Sequence, residues 1–345
     1  MTYYYEELNN DAKDYLLIEL DKLTKDDTII DRCRKEIDLL FEKNILFIIE
    51  YLYRYKNFNK NIRFCFKGTF NNLLLLYVLN LSDVDPLKYN LPYELFDEKK
   101  FTIYFVNGSY DGFVDYLEQF YSLFRVAKGN FEKSEFEEEN KMCENNYLIM
   151  PFCDTEMTFK FNEFNRLETI DDYRLYKDKY ITIKLDDKYN ILSDKVNIKY
   201  SLKNEFEEEL AKIINAESLE DYDKVISLAH STHAWKNNQD VLFEDGMINL
   251  QNIIASREDI YEYLQKHNID SQVSIDIIKH IISNRNNENN QLWNNYVKLM
   301  KEKNCSDIFI DIISKILFIS GRGQAISECL YSLDERNYYS FENEK

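Results

Sequence analysis

Residues 67–96, KGTFNNLLLLYVLNLSDVDPLKYNLPYELF, constrain the fold of this chain more than any other stretch. Lys67-Gly68-Thr69 reads as a small turn carrying a cation. An apolar run, 62–66, precedes it and an apolar block, 73–81, follows it. Asp83-Val84-Asp85-Pro86 stops that block, because proline lacks a backbone donor and fixes φ. Pro92-Tyr93-Glu94-Leu95-Phe96 closes the stretch. The pattern predicts a buried strand, a turn and a buried helix, in that order.

Chain breakers are scarce elsewhere: 7 glycines and 3 prolines in 345 residues. That scarcity favours long helices over a turn-rich β-sandwich. Composition alone suggests a soluble helical protein with some β-structure. Residues 10–24 and 28–56 carry apolar positions at helical spacing, with a break near Lys43-Asn44. Segments 101–106, 147–152, 157–161, 180–185 and 195–202 read as strands, and 113–124 as a helix. The acidic run 132–144 reads as a solvated face. From Glu205 onward the pattern is helical: 204–215, 218–229, 249–266, 271–283, 291–303 and 306–319, with a polar Asn-rich loop at 284–295. These readings place a domain boundary near 203.

The formal net charge of −19 repels phosphate on average and argues against a general DNA-coating role, while leaving room for a local basic channel. The six cysteines are scattered without a C-x-x-C pair, which reads as reduced thiols in a cytoplasmic protein. The acidic N-terminus lacks a signal-peptide core, and no apolar run is long enough to cross a bilayer.

Several ordered segments resemble the bacterial C-family replicative DNA polymerases, the DNA polymerase III α subunits of PolC type. In that family a turn R-G-S-x-G-S-S opens an apolar helix, which ends in I-T-x-[VI]-[ND]-P-L; P-F-E-x-F follows. Here stand Lys67-Gly68-Thr69, Leu81-Ser82-Asp83-Val84-Asp85-Pro86-Leu87 and Pro92-Tyr93-Glu94-Leu95-Phe96. Phe70-Asn71-Asn72 replaces the second half of the turn. Further on, Ala229-His230-Ser231-Thr232-His233-Ala234-Trp235 is similar to S-H-G-T-x-x-W, and Asn238-Gln239-Asp240 to N-A-Q-[ED]. Residues 250–270 follow the family's L-S-E-V-I-x-x-R-D-D-I pattern, and Gly321-Arg322-Gly323-Gln324-Ala325 stands where it has P-K-A-H-A-A-A-Y. The resemblance spans roughly 28–332 with internal shortening.

The resemblance implies an α+β fold. A mixed-sheet, nucleotidyltransferase-like palm is expected over 25–203, with a helical thumb-like insertion about 110–145. An all-helical fingers-like domain follows at 204–345, and 1–24 adds an N-terminal helix. It also implies where the chemistry should be. Two-metal nucleotidyl transfer needs carboxylates, two of them alternating on one strand. The register from 92–96 puts Thr102 and Tyr104 at those two positions, and Tyr200 where the third aspartate belongs. Neutral Thr and Tyr cannot replace carboxylates as ligands for hard cations. The expectation is therefore a catalytically silent protein with no metal cofactor, associated with DNA replication through binding. A replisome component, primer-template DNA or a nucleotide would be the partner, without a membrane. Asp111 with Asp115, or Asp186 with Asp187, are the carboxylates an active alternative would use with Mg²⁺. A regulatory interaction protein independent of nucleic acid is the third reading.

Lys67, Gly68, Thr69 and Arg322 are the phosphate- or nucleotide-binding candidates, since a turn with N–H groups plus a cation can cradle phosphate. Two ordinary surface cations are the alternative. His230 and His233 have the i, i+3 spacing of a metal pair but no evident third ligand, so a packing or hydrogen-bonding role is favoured.

Overall fold

The computed structural model describes residues 2–43, 45–60, 63–66, 68–96, 100–106, 147–152, 155–161, 205–216, 218–283 and 290–329. The chain divides into two compact units, Met1–Glu168 and Thr169–Lys345.

The first unit opens with three helices, α1 (Thr2–Leu23), α2 (Asp27–Glu42) and α3 (Leu46–Phe58). Asp26 starts α2 by accepting the amide hydrogens of Thr28 and Ile29, which would otherwise lack partners. Helical spacing then buries Cys33, Glu36, Ile37 and Leu40 along one face. α3 is buried on nearly all sides, from Leu46 to Tyr53. Asn9 of α1 reaches the start of α3, its side-chain oxygen accepting the Phe47 amide at 3.2 Å. The strand β1 (Arg63–Phe66) follows, then a 3₁₀ turn, Gly68–Asn72, and the short helix α4 (Leu74–Val78). The predicted helix over 73–81 is thus shortened; Asn80 sits at φ 55 and turns the chain.

Strands β2 (Lys100–Val106), β3 (Tyr147–Phe152) and β4 (Thr155–Phe161) join β1 in the order β1-β2-β4-β3. β1 runs antiparallel to β2, β2 parallel to β4, and β3 antiparallel to β4. These four short strands do not make the fold α+β. Among the described residues helices predominate. The buried cluster of described side chains is built by α1, α2, α3 and residues 70–81, with Phe64 and Phe66 of β1 added to it. The expected α+β class, organised on a mixed-sheet nucleotidyltransferase-like palm, is corrected to a mostly helical fold. The physical reason is where the apolar surface goes. The Leu, Ile and Tyr residues of the amphipathic helices pack on one another and on 70–81, so the helices form the organising layer. The expected thumb-like insertion at 110–145 and the strands expected at 180–185 and 195–202 lie outside the described residues.

The second unit is helical throughout its described part, apart from two isolated backbone bridges. Its helices are α5 (Glu205–Ile213), α6 (Leu219–Ala229), α7 (Asp240–Glu244), α8 (Arg257–Lys266), α9 (Ser271–Ile282), α10 (Gln291–Glu302) and α11 (Asp307–Lys315), with a last helical stretch at 322–329. Capping is dense. Ser218 with Asp221 and Ser256 with Asp259 form reciprocal capping boxes. Asp270, Asn290 and Ser306 cap α9, α10 and α11. Two predicted helices are interrupted. The one expected over 249–266 breaks at Ile253, and the one over 306–319 ends at Ile316, both extended. Tertiary pairing explains both breaks: Thr232 bridges Phe318 and Ser256 bridges Ser320. No helix among the described residues is long and apolar enough to cross a membrane.

Candidate functional site

Residues 68–96 are held from within and from α2. Gly68 has φ 74, a left-handed conformation that favours glycine, and opens the 3₁₀ turn. Thr69, Phe70, Asn71 and Asn72 are all buried. The Asn71 amide donates to the Phe66 carbonyl at 2.7 Å, and its oxygen accepts the Ser82 hydroxyl at 3.0 Å. The Asn72 amide donates to the Pro92 carbonyl at 3.0 Å. Phe70 packs edge-on against Phe96, ring centroids 5.0 Å apart, and tilted against Phe66 at 5.5 Å. Phe70-Asn71-Asn72 therefore forms a filled plug that joins the strand before the turn to both segments after it.

Below the plug lies a buried ion pair that local sequence patterns do not announce. Arg32 donates to Glu36 at 2.9 Å and to the carbonyls of Asn72 and Leu91 at 2.9 and 2.8 Å. The fully buried Glu36 carboxylate accepts the Leu75 amide at 2.7 Å. Burial pushes the Glu36 carboxyl above its ordinary range, while the Leu75 amide and Arg32 pull it back. An R-x-x-x-E spacing on α2 is the one available signal, and such pairs are usually solvated.

In the second unit, the segment resembling S-H-G-T-x-x-W and N-A-Q forms a buried lock. Gln239, fully buried, donates to the carbonyls of Ala234 at 2.6 Å and Ile254 at 2.9 Å. Its oxygen accepts the Ile254 amide at 2.7 Å. Asn238 donates to the carbonyls of His233 and Ile312. Trp235 is buried, 5.8 Å from Phe243 ring to ring. The backbone turns tightly enough to put His233 at φ 57 and Asn237 at φ 59. His230 does not pair with His233: its Nε2 lies 3.3 Å from Glu328. Among the described residues no group of three or more His, Cys, Asp or Glu could hold a metal ion.

Arg322 is the hub of a charged cluster. Its Nη2 lies 2.5 Å from Asp259 and its Nη1 2.9 Å from Glu262. Its own amide donates to Glu258 at 2.7 Å. Asp223 of α6 also lies within electrostatic reach. These acids raise the guanidinium's already high pKa, against the opposing effect of burial. Asp223 is buried, and desolvation pushes its carboxyl well above the usual carboxylate range despite Arg322.

The remaining candidates fall as follows. Thr102 and Tyr104 lie on β2, Thr102 paired with Thr158, and Tyr104 with Cys65 and Lys160. Gly68 and Thr69 open the 3₁₀ turn. Lys67, Tyr200, Asp111, Asp115, Asp186 and Asp187 lie outside the described residues.

No family model matches the chain. Among curated proteins it is similar to the DNA polymerase III PolC-type of Clostridium perfringens, 26% identical over 110 residues, covering 32% of this chain and 7% of the relative. The DNA polymerase III PolC-type of Streptococcus thermophilus is 26% identical over 114 residues, covering 31% and 7%. That of Caldanaerobacter subterraneus subsp. tengcongensis is 25% identical over 104 residues, covering 30% and 7%. The similarity to DNA polymerase III of PolC type thus covers under a third of this chain in each of these matches and only 7% of the relatives' own length.

Proposed function

We propose that this chain is a DNA polymerase III-related protein of DNA replication that works by binding, without catalysing nucleotidyl transfer. The observation that supports this reading is on β2. Thr102 and Tyr104 hold the strand positions where the resemblance puts two metal-binding aspartates. Neither side chain supplies the anionic oxygen that a hard divalent cation needs.

The partner on this reading is a replisome component, primer-template DNA or a nucleotide. The net charge of −19 makes a large electrostatic DNA footprint unfavourable, so nucleic-acid contact is confined to a small area. The filled 68–72 turn and the acid-bound Arg322 leave a phosphate to compete with protein groups already in place.

Primer extension with Mg²⁺ or Mn²⁺ tests the catalytic half. The expected result is no incorporation. Incorporation that survives purification and is lost in Asp111→Asn or Asp187→Asn overturns the reading in favour of displaced carboxylates. Fluorescence anisotropy with primer-template DNA across a salt series tests the binding half. Weak, salt-sensitive binding assigns DNA as the partner; its absence at the lowest salt excludes DNA and favours a partner other than nucleic acid.

A further inference from the structure

We propose that the Arg322 cluster is a pH-operated clamp: with a proton on Asp223 it holds residues 322–329 on α8 and α6, and loss of that proton loosens them. The geometry sets up the imbalance. The Arg322 guanidinium holds Asp259 and Glu262, its backbone amide holds Glu258, and Asp223 lies within electrostatic reach. Glu258 is fully buried, Asp223 6% exposed, and the Asp259 and Arg322 side chains 13% and 16% exposed. Glu262 is 35% exposed, but the other three carboxylates lie largely out of water, where like charges repel strongly and one arginine cannot neutralise them all. The charged groups that face Asp223 come from each packed element. Glu220 and Lys224 share its helix α6, Asp259 comes from α8, and Arg322 from the last helical stretch. Lys224 gives a hydrogen bond to the Leu250 carbonyl. Near the end of α6, His230 faces Glu328.

The cluster is also a mechanical junction. The Asp259 carboxylate accepts the amides of Ala255 and Ser256, at 2.9 and 2.8 Å, while its other oxygen holds Arg322. The Arg257 amide donates to the Ser320 carbonyl at 2.9 Å, and the Ser320 hydroxyl to the Ser227 carbonyl at 3.1 Å. The start of α8, the end of α6 and the entry to 322–329 therefore loosen together when the charge imbalance grows.

The sign follows from burial. Asp223 keeps its proton in the folded unit at pH values where the unfolded chain has lost it. Stability from this group is therefore full at acid pH and falls as pH rises from the unfolded value toward the raised folded one. Hydrogen exchange of the full chain tests this, following amides of 257–266 and 322–329 as pH rises from about 4, the ordinary aspartate value, through the raised folded one, after correction for intrinsic rates. The wild type is expected to lose protection by up to about tenfold per pH unit. Asp223→Asn, which carries no titrating proton, is expected to abolish that slope. His230→Gln, which removes the nearby imidazole, is expected to keep it. Flat wild-type protection, an unchanged slope in Asp223→Asn, or loss of the slope in His230→Gln overturns the proposal. A carboxyl ¹³C titration of the wild-type aspartates gives an answer even when Asp223→Asn does not fold. One carboxyl titrating far above the others supports the clamp, and all titrating together sinks it.

Discussion

Gln239→Met replaces a fully buried amide with an apolar side chain of similar length. The substitution creates little cavity, so its cost reads out hydrogen bonding. Three backbone groups lose their partner: the carbonyls of Ala234 and Ile254 and the amide of Ile254. A buried polar group left unpaired costs about 1–3 kcal/mol, and local relaxation recovers part of that, so the expected loss is about 3–5 kcal/mol. Against a typical domain stability of about 5–15 kcal/mol, this removes a third or more. Both tryptophans, Trp235 and Trp293, belong to the second unit, so urea unfolding followed by fluorescence excited at the red edge, where tyrosine does not absorb, reports that unit alone. The expected result is a lower midpoint with an unchanged slope. Gln239→Glu supplies a second arm. Its ionised carboxylate can accept from Ile254 but cannot donate to two carbonyls, so it should be at least as damaging. A loss below about 1 kcal/mol for Gln239→Met refutes the claim that this amide locks the loop to 253–256.

Glu36→Ala orphans the buried Leu75 amide and strips Arg32 of its carboxylate; a loss of about 3–5 kcal/mol is expected by thermal or chemical denaturation of the full chain. Glu36→Gln keeps an acceptor and should cost only about 1–2 kcal/mol. Glu36 and Glu50 are both pushed up by burial, so protection of amides in 27–58 should fall as pH rises from near 4 through their folded values; protection that rises across that window contradicts the assignment. Ser256→Ala removes the hydroxyl that caps the Asp259 amide at 3.3 Å and should lower the stability of the second unit by about 1 kcal/mol in the fluorescence assay.

Local pattern carried much of the secondary structure. The apolar spacing and Asp26 cap define α2, and the break expected at Lys43-Asn44 falls at the Lys43 cap. The runs 101–106 and 147–152 are strands, and 271–283 matches α9 to within a residue. The fold class was not legible, because counting strands does not reveal which layer buries the core. Ile253 and Ile316 sit in helical patterns yet are extended, since the nearby Ser256 and Phe318 pair with distant Ser320 and Thr232 and outweigh local propensity. Asn71 and Asn72 read as the lost half of a turn motif; their partners at Phe66, Ser82 and Pro92 exist only in the folded chain. Arg322 is the extreme case. The acids it hydrogen-bonds are 60 to 64 positions away, beyond any local window.

The reach of Arg32 has a consequence for how the first unit comes together. Its two backbone acceptors lie 40 and 59 residues downstream. Closing loops of that size costs chain entropy that α2 alone cannot offset, so these bonds wait for collapse of the surrounding helices. During synthesis the last of these acceptors is missing until Leu91 has emerged, and the plug is complete only once Pro92 and Phe96 have followed. Slowing translation just after that point should leave the helical core time to capture the segment; slowing it before should not.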